Sequence, residues 1–174
     1  WERPNWFAPG GVTPRDEYSM GRQNWFEHAG REHKAVRETA GLFDQSSFAK
    51  FDAKGKRATQ VLEKICANRI DRPVGSVIYT QMLNSRGGIE CDLTVTRLAE
   101  QHYYIVTGTG FRAHDFNWIK DHAPRGPEFM LRDVTEDWGT LVLMGPNARA
   151  ILEKVASEDV SNQAFPFAQC REFK

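Results

Sequence analysis

The residues best placed to do chemistry lie in one run, Tyr79-Thr80-Gln81-Met82-Leu83-Asn84-Ser85-Arg86-Gly87-Gly88-Ile89-Glu90-Cys91-Asp92-Leu93-Thr94-Val95-Thr96. Where Leu93 and Val95 face a core, period-two alternation puts Asp92, Thr94 and Thr96 together on the opposite face of the strand. Tyr79 stands 13 residues before Asp92, across a glycine-rich stretch with the composition of a hairpin connection. A carboxylate at a strand start near a tyrosine could orient a nitrogen heterocycle and take its proton. A lone aspartate beside such a turn is more often a surface acid or a turn former. Pattern alone does not choose between the two.

Other chemistries have weaker footing. Gly108-Thr109-Gly110-Phe111-Arg112-Ala113 fits G-x-G-x-x-A, the pattern that lets helix N-terminal N–H groups approach a pyrophosphate. Its preceding strand comes from a hairpin run rather than opening a βαβ unit, which favours a tight strand-to-helix turn. Glu27-His28 and Glu32-His33 offer ligand types, but the histidines are five apart where a zinc-binding helix face needs four. Cys66, Cys91 and Cys170 are widely separated and read as reduced thiols, so no metal site is expected. No G-x-S-x-G is present for serine chemistry.

The elements that must position these residues can be read along the chain. Residues 1–22, rich in proline and glycine, are expected to form an extended lead-in arm pinned by Trp1, Trp6 and Phe7, with the domain proper over 23–174. Helices are predicted over Asn24–Ala40, Lys56–Ala67, Arg112–His122 and Ala148–Val155. Strands are predicted from about Phe48 to Phe51, and over Val77–Leu83, Cys91–Leu98, Tyr103–Thr107, Phe129–Asp133 and Gly139–Met144. Strands and helices mix without strict alternation, which predicts an α+β fold, a mainly antiparallel sheet with helices on one side. The 174 residues suffice for one hydrophobic core. Lys+Arg 23 balance Asp+Glu 23, so nothing draws the chain to nucleic acid, and no apolar run is long enough to span a membrane. Starting at Trp1 rather than a methionine, the chain reads as a piece of something longer.

Several ordered blocks resemble the folate-binding aminomethyltransferases related to the glycine cleavage system T-protein. They are Glu32-His33 with Ala35-Val36-Arg37, Gly41-Leu42-Phe43-Asp44 with Ser46, Gly75 with Tyr79-Thr80, Leu83-Asn84 with Gly87-Gly88-Ile89, Asp92-Leu93, Asp115 with Trp118, and Leu143 with Gly145-Pro146. Within the family, the opening Trp1-Glu2-Arg3-Pro4-Asn5-Trp6-Phe7 and the run from Ile89 to Leu98 look closest to the folate portion of flavin-dependent sarcosine and dimethylglycine dehydrogenases. The resemblance implies the leading part of a T-protein-like domain that captures a formaldehyde-level carbon as 5,10-methylenetetrahydrofolate. It implies Asp92 as the catalytic carboxylate and a folate pocket of Tyr79, Phe48 and Thr94, to which Met82, an apolar side chain near the turn, would add a wall. Cofactors would be tetrahydrofolate here and FAD in a neighbouring domain, which is also the implied partner. The implied compartment is the bacterial cytoplasm or the mitochondrial matrix. Cys91 stands where glycine-cleavage members have the first of two aspartates, and Gly108-Thr109 where they have Asn-Ala. The alternative is a folate-binding or structural module without transfer activity.

Overall fold

In the computed structural model, which describes residues 4–173, the chain runs through α1 (Phe26–Glu38), β1 (Gly41–Asp44), β2 (Ala49–Lys54), α2 (Ala58–Ile65), β3 (Val77–Leu83), β4 (Ile89–Ala99) and β5 (His102–Thr107). It continues through α3 (Arg112–His122), β6 (Met130–Asp133), β7 (Leu141–Met144) and α4 (Ala148–Leu152). Five strands form a sheet in the order β3-β4-β5-β2-β6, antiparallel at every junction, while β1 pairs with β7 in a separate ribbon. Alternation builds the core. Ile78 and Met82 on β3, Cys91, Leu93 and Val95 on β4, Tyr103 and Ile105 on β5, and Ala49, Phe51 and Ala53 on β2 are all buried in one cluster. Across that face lie α2, with Ala58, Val61 and Leu62, and α3, with Ile119. The chain is therefore an α+β fold with a mainly antiparallel sheet and its packing helices on one side. Residues of opposite parity, Tyr79, Gln81, Asp92 and Thr94 among them, are left half-buried or exposed.

Three features differ from expectation. β1 was hidden because a four-residue strand with an exposed pattern carries no alternation, and its partner lies a hundred residues along the chain. α1 forms, yet none of its residues is buried, since its neighbour is the narrow β1–β7 ribbon rather than the main sheet. α4 stops at Leu152, short of Val155. In the arm, Trp6 stacks on His28 at 5.6 Å between ring centroids and donates its indole N–H to Asp16 at 2.7 Å. Phe7 is exposed, and Trp1 lies outside the described residues.

The start of α3 is tied to the edge of the sheet by ions. Arg112 Nε donates to Asp133 Oδ2 at 2.6 Å, and Arg112 Nη1 to Glu136 at 2.8 Å. Burial alone would raise the Asp133 carboxyl, but hydrogen bonds from Arg112 and Thr135 outweigh it and hold the group below its usual 3.8. A depressed carboxyl contributes stability above pH 3.8 and loses it as pH falls through the lower folded value. Asp133→Asn is therefore expected to flatten the acid end of the stability profile, as read by urea midpoints measured from pH 6 down to roughly pH 2.5.

Candidate active site

The β3–β4 hairpin assembles the site. Asn84 closes its turn: the side-chain Oδ1 accepts from the N–H groups of Arg86 and Gly88, both at 2.9 Å, while Gly87 adopts a φ of +80° that glycine takes without steric penalty. Pairing then skips a residue, from Met82↔Cys91 to Leu83↔Ile89, so Glu90 is a bulge. Beyond it Gln81 lies opposite Asp92 and Tyr79 opposite Thr94. Gln81 Nε2 donates to Asp92 Oδ1 at 3.2 Å. The Asp92 carboxylate, across the hairpin, is the first cause holding the Tyr79 phenol above its usual 10. Asp92 is thus an exposed carboxylate bonded by an amide, with a phenol in its field.

The next strands extend this surface. Thr107 pairs with both Leu93 and Ala49. The pairing stops there; extended by one residue, the same register would set Phe48 two strand spacings, about 10 Å, from Asp92. Gly108 has no side chain of its own, but the ring of Phe111 packs against it, 3.3 Å from where a Cβ would stand. Beside Phe48 lies a buried cation. Lys50 Nζ donates to the carbonyls of Ser46 at 2.8 Å and Phe48 at 3.0 Å, fastening the turn that carries Phe48. Burial, the largest influence, pushes the Lys50 ammonium below its usual 10.5. The arrangement offers a carboxylate that can take a proton and exposed aromatic rings, Tyr79 on the hairpin and Phe48 and Phe111 just outside the ends of β2 and β5.

Residues 1–174 match the GCVT N-terminal domain. The chain belongs to that family. Mitochondrial dimethylglycine dehydrogenase of Rattus norvegicus is 38% identical over 175 residues, covering 100% of this chain and 20% of that protein. The 4-methylaminobutanoate oxidase (formaldehyde-forming) of Paenarthrobacter nicotinovorans is 39% identical over 163 residues, covering 94% and 20%. The chain thus spans about a fifth of the length of these relatives. Among solved structures, the glycine cleavage system aminomethyltransferase T from Bartonella henselae superposes with a TM-score of 0.65 at 32% identity, covering 71% of this chain and 34% of that one.

Within this GCVT N-terminal domain, Asp92, Tyr79 and Thr94 emerge on one face, and Phe48 is exposed just before the start of β2. Met82 does not join them. The parity that turns Tyr79 and Gln81 outward turns Met82 inward, and it is fully buried in the core cluster beneath the sheet. Met82→Ala is accordingly expected to cost about 2–5 kcal/mol in urea unfolding, as a core truncation does. Sequence reasoning missed Gln81 and Lys50. Alternation within each strand was the available signal: Gln81 is two residues from Tyr79, and Lys50 lies between the buried Ala49 and Phe51.

The glycine-rich run at Gly108 follows a strand antiparallel to both neighbours and opens through a short 3₁₀ turn, so it is the tight strand-to-helix turn and not a dinucleotide loop. The fold also does what spacing could not show, gathering ligand-type atoms of Cys91, His114 and Asp115 within 4.8 Å of one another. Asp115 already accepts from Thr107 Oγ1 at 2.5 Å and from His114 Nδ1 at 2.9 Å, so this cluster is a hydrogen-bonded network under β4 and β5.

Proposed function

We propose that this chain forms the leading part of a tetrahydrofolate-dependent aminomethyltransferase domain within a flavin-linked N-methyl amine dehydrogenase of the sarcosine or dimethylglycine type. The observation that carries this reading is the exposed Asp92 carboxylate, held by Gln81 on the same open sheet face as Tyr79, in a GCVT N-terminal domain. These residues fit a pterin: a flat ring can lie against the exposed rings of Tyr79 and Phe48, with Thr94 beside it, and present its N–H groups to Asp92. When bound, tetrahydrofolate supplies an amine nucleophile that accepts the one-carbon unit.

The chain's own part is electrostatic and protonic. Asp92 orients the nitrogen, receives the proton lost as the new C–N bond forms, and stabilises the cationic carbon approaching it. Gln81 holds the carboxylate in one orientation, so that less reorganisation is needed when charge develops. Phe48 and Tyr79 supply apolar walls, and Lys50 keeps the Phe48 turn in place. The glycine pattern at Gly108 follows an antiparallel strand and does not form a dinucleotide loop. The flavin is assigned to a neighbouring domain of the gene product, where the amine is also selected, in the bacterial cytoplasm or the mitochondrial matrix.

The test uses the full-length gene product that carries these residues, turned over with sarcosine or dimethylglycine in the presence and absence of tetrahydrofolate. The expected product is 5,10-methylenetetrahydrofolate, with free formaldehyde only when folate is omitted. A second reading, a domain that keeps the fold without transfer, is favoured by the formaldehyde-forming relative. It predicts formaldehyde under both conditions. For the 174 residues alone, an open sheet face with Tyr79 61% exposed offers one wall rather than a pocket. Calorimetry is expected to give no binding of tetrahydrofolate at micromolar concentration; a micromolar Kd would show that the second wall is not required.

A further inference from the structure

We infer that Asp115 is a positioning residue for Asp92, anchoring from the core side the segments of β4 and β5 that set where the Asp92 carboxylate projects. The inference rests on the function proposed for Asp92. Asp115 lies in the first turn of α3 and is only 1% exposed. Its Oδ2 accepts from Thr107 Oγ1 at 2.5 Å, and its Oδ1 from His114 Nδ1 at 2.9 Å. Burial, and then the nearby Asp115 charge, keep the Cys91 thiol protonated, and its Sγ lies within 4.8 Å of an Asp115 oxygen. Two of these three neighbours flank the position of Asp92. Cys91 immediately precedes Asp92, and Thr107 is paired with Leu93, which immediately follows it.

Thr107 makes a further contact. Its hydroxyl lies 3.3 Å from the main-chain carbonyl of Asp92 itself. One hydrogen serves two acceptors, and the shorter, charge-assisted arm to Asp115 is the stronger. The hydroxyl is thereby held in the gap between α3 and the Asp92 peptide. A buried carboxylate is an expensive way to attach a helix to a sheet, and Phe116 and Ile119 of α3 already do so by apolar packing. What the polar network adds is direction: it fixes the strand register and tilt at one residue, on the face opposite the one where that residue's side chain emerges.

The experiment is a double-mutant cycle in the full-length gene product. Thr107→Val removes the hydroxyl at constant shape, and Asp115→Asn removes the charge. Each is expected to lower kcat for methylenetetrahydrofolate formation about tenfold, with KM for tetrahydrofolate changed less than about twofold. Thr107→Ser, which restores the hydroxyl, is expected to recover most of kcat. In an Asp92→Asn background Thr107→Val should have little further effect. Parental kcat in both single variants, or the same multiplicative loss with and without Asp92, overturns the inference.

A second readout is independent of folate. In the 174-residue chain with ¹³C-labelled tyrosine, the Tyr79 titration, raised by Asp92, should fall toward its usual 10 in Thr107→Val and Asp115→Asn. An unmoved Tyr79 titration overturns positioning by Asp115. Undiminished capture by Asp92→Asn instead overturns the functional reading, and the Tyr79 titration still decides whether Asp115 positions Asp92.

Discussion

Asp92→Asn in the full-length gene product is expected to cut methylenetetrahydrofolate formation by about a hundredfold or more while amine oxidation continues, so that the one-carbon unit leaves as formaldehyde. The substitution is nearly isosteric. An asparagine carbonyl still accepts from Gln81, so the hairpin and its hydrogen bond remain intact. Only the charge and the basicity are lost. Those are the properties that proton removal and cation stabilisation need, and general-base catalysis alone contributes about 10²–10⁴ in rate. Trapping formaldehyde and quantifying the folate product in the same reaction separates this outcome from global damage, which would lower both. Capture at the parental rate would remove Asp92 from its role.

Removing a neighbour should cost less. Gln81→Leu leaves the charge but deletes a hydrogen bond at 3.2 Å to a partly solvated group, so a drop of only about three- to tenfold in capture is expected, measured in the same assay. Alternation within two strands was enough to read much of this surface from the sequence, because each strand buries one face against α2 and α3 and leaves the other open. Applied to β4 it placed Asp92 and Thr94 correctly. Applied with the same strictness to β3 it would have chosen Gln81 over Met82. Met82 was drawn in because an apolar side chain near the turn looks like a pocket wall, yet a core needs the same residue type.

What remained hidden depends on contacts distant in sequence. The Asp115 network joins residues 91, 107 and 115 only after α3 has folded back beneath β4 and β5. Lys50 reads as a charged residue in a strand, and its burial follows from the Ser46–Phe48 turn closing over it. β1 has no pattern of its own and exists through pairing with β7. The Gly108 pattern fits a phosphate loop in sequence, since a glycine does not say whether its neighbouring strands are parallel. Sheet topology supplies that, and makes the same residue part of a tight strand-to-helix turn on which the Phe111 ring packs.

A large structural loss is expected at Gly55, where Gly55→Ala should destabilise the chain by about 3 kcal/mol or more. Its φ is +131°, a backbone conformation open to glycine and strained for alanine. Space is also lacking. An added Cβ would sit 2.3 Å from the carbonyl oxygen of Glu128 and 2.7 Å from its carbon, and these are backbone atoms that cannot swing aside. The position is a junction: Gly55 N–H donates to Gln101, its carbonyl accepts from Ala58 at the start of α2, and Arg57 N–H donates to the same Glu128 carbonyl. Relief of the clash must therefore loosen the end of β2, the start of α2 and the approach to β6 together. With an m value of about 2 kcal/mol/M, the urea midpoint should fall by about 1.5 M. Gly87→Ala is the matched comparison, since its φ of +80° is also positive but open space surrounds it, and it should cost only about 1 kcal/mol. Equal midpoints for the two variants would show that the Glu128 backbone yields to the new methyl. The same junction reaches the active site, because β2 runs from Phe48 and Lys50 at one end to Gly55 at the other. A strand loosened there would displace Phe48 before the hairpin carrying Asp92 itself gives way.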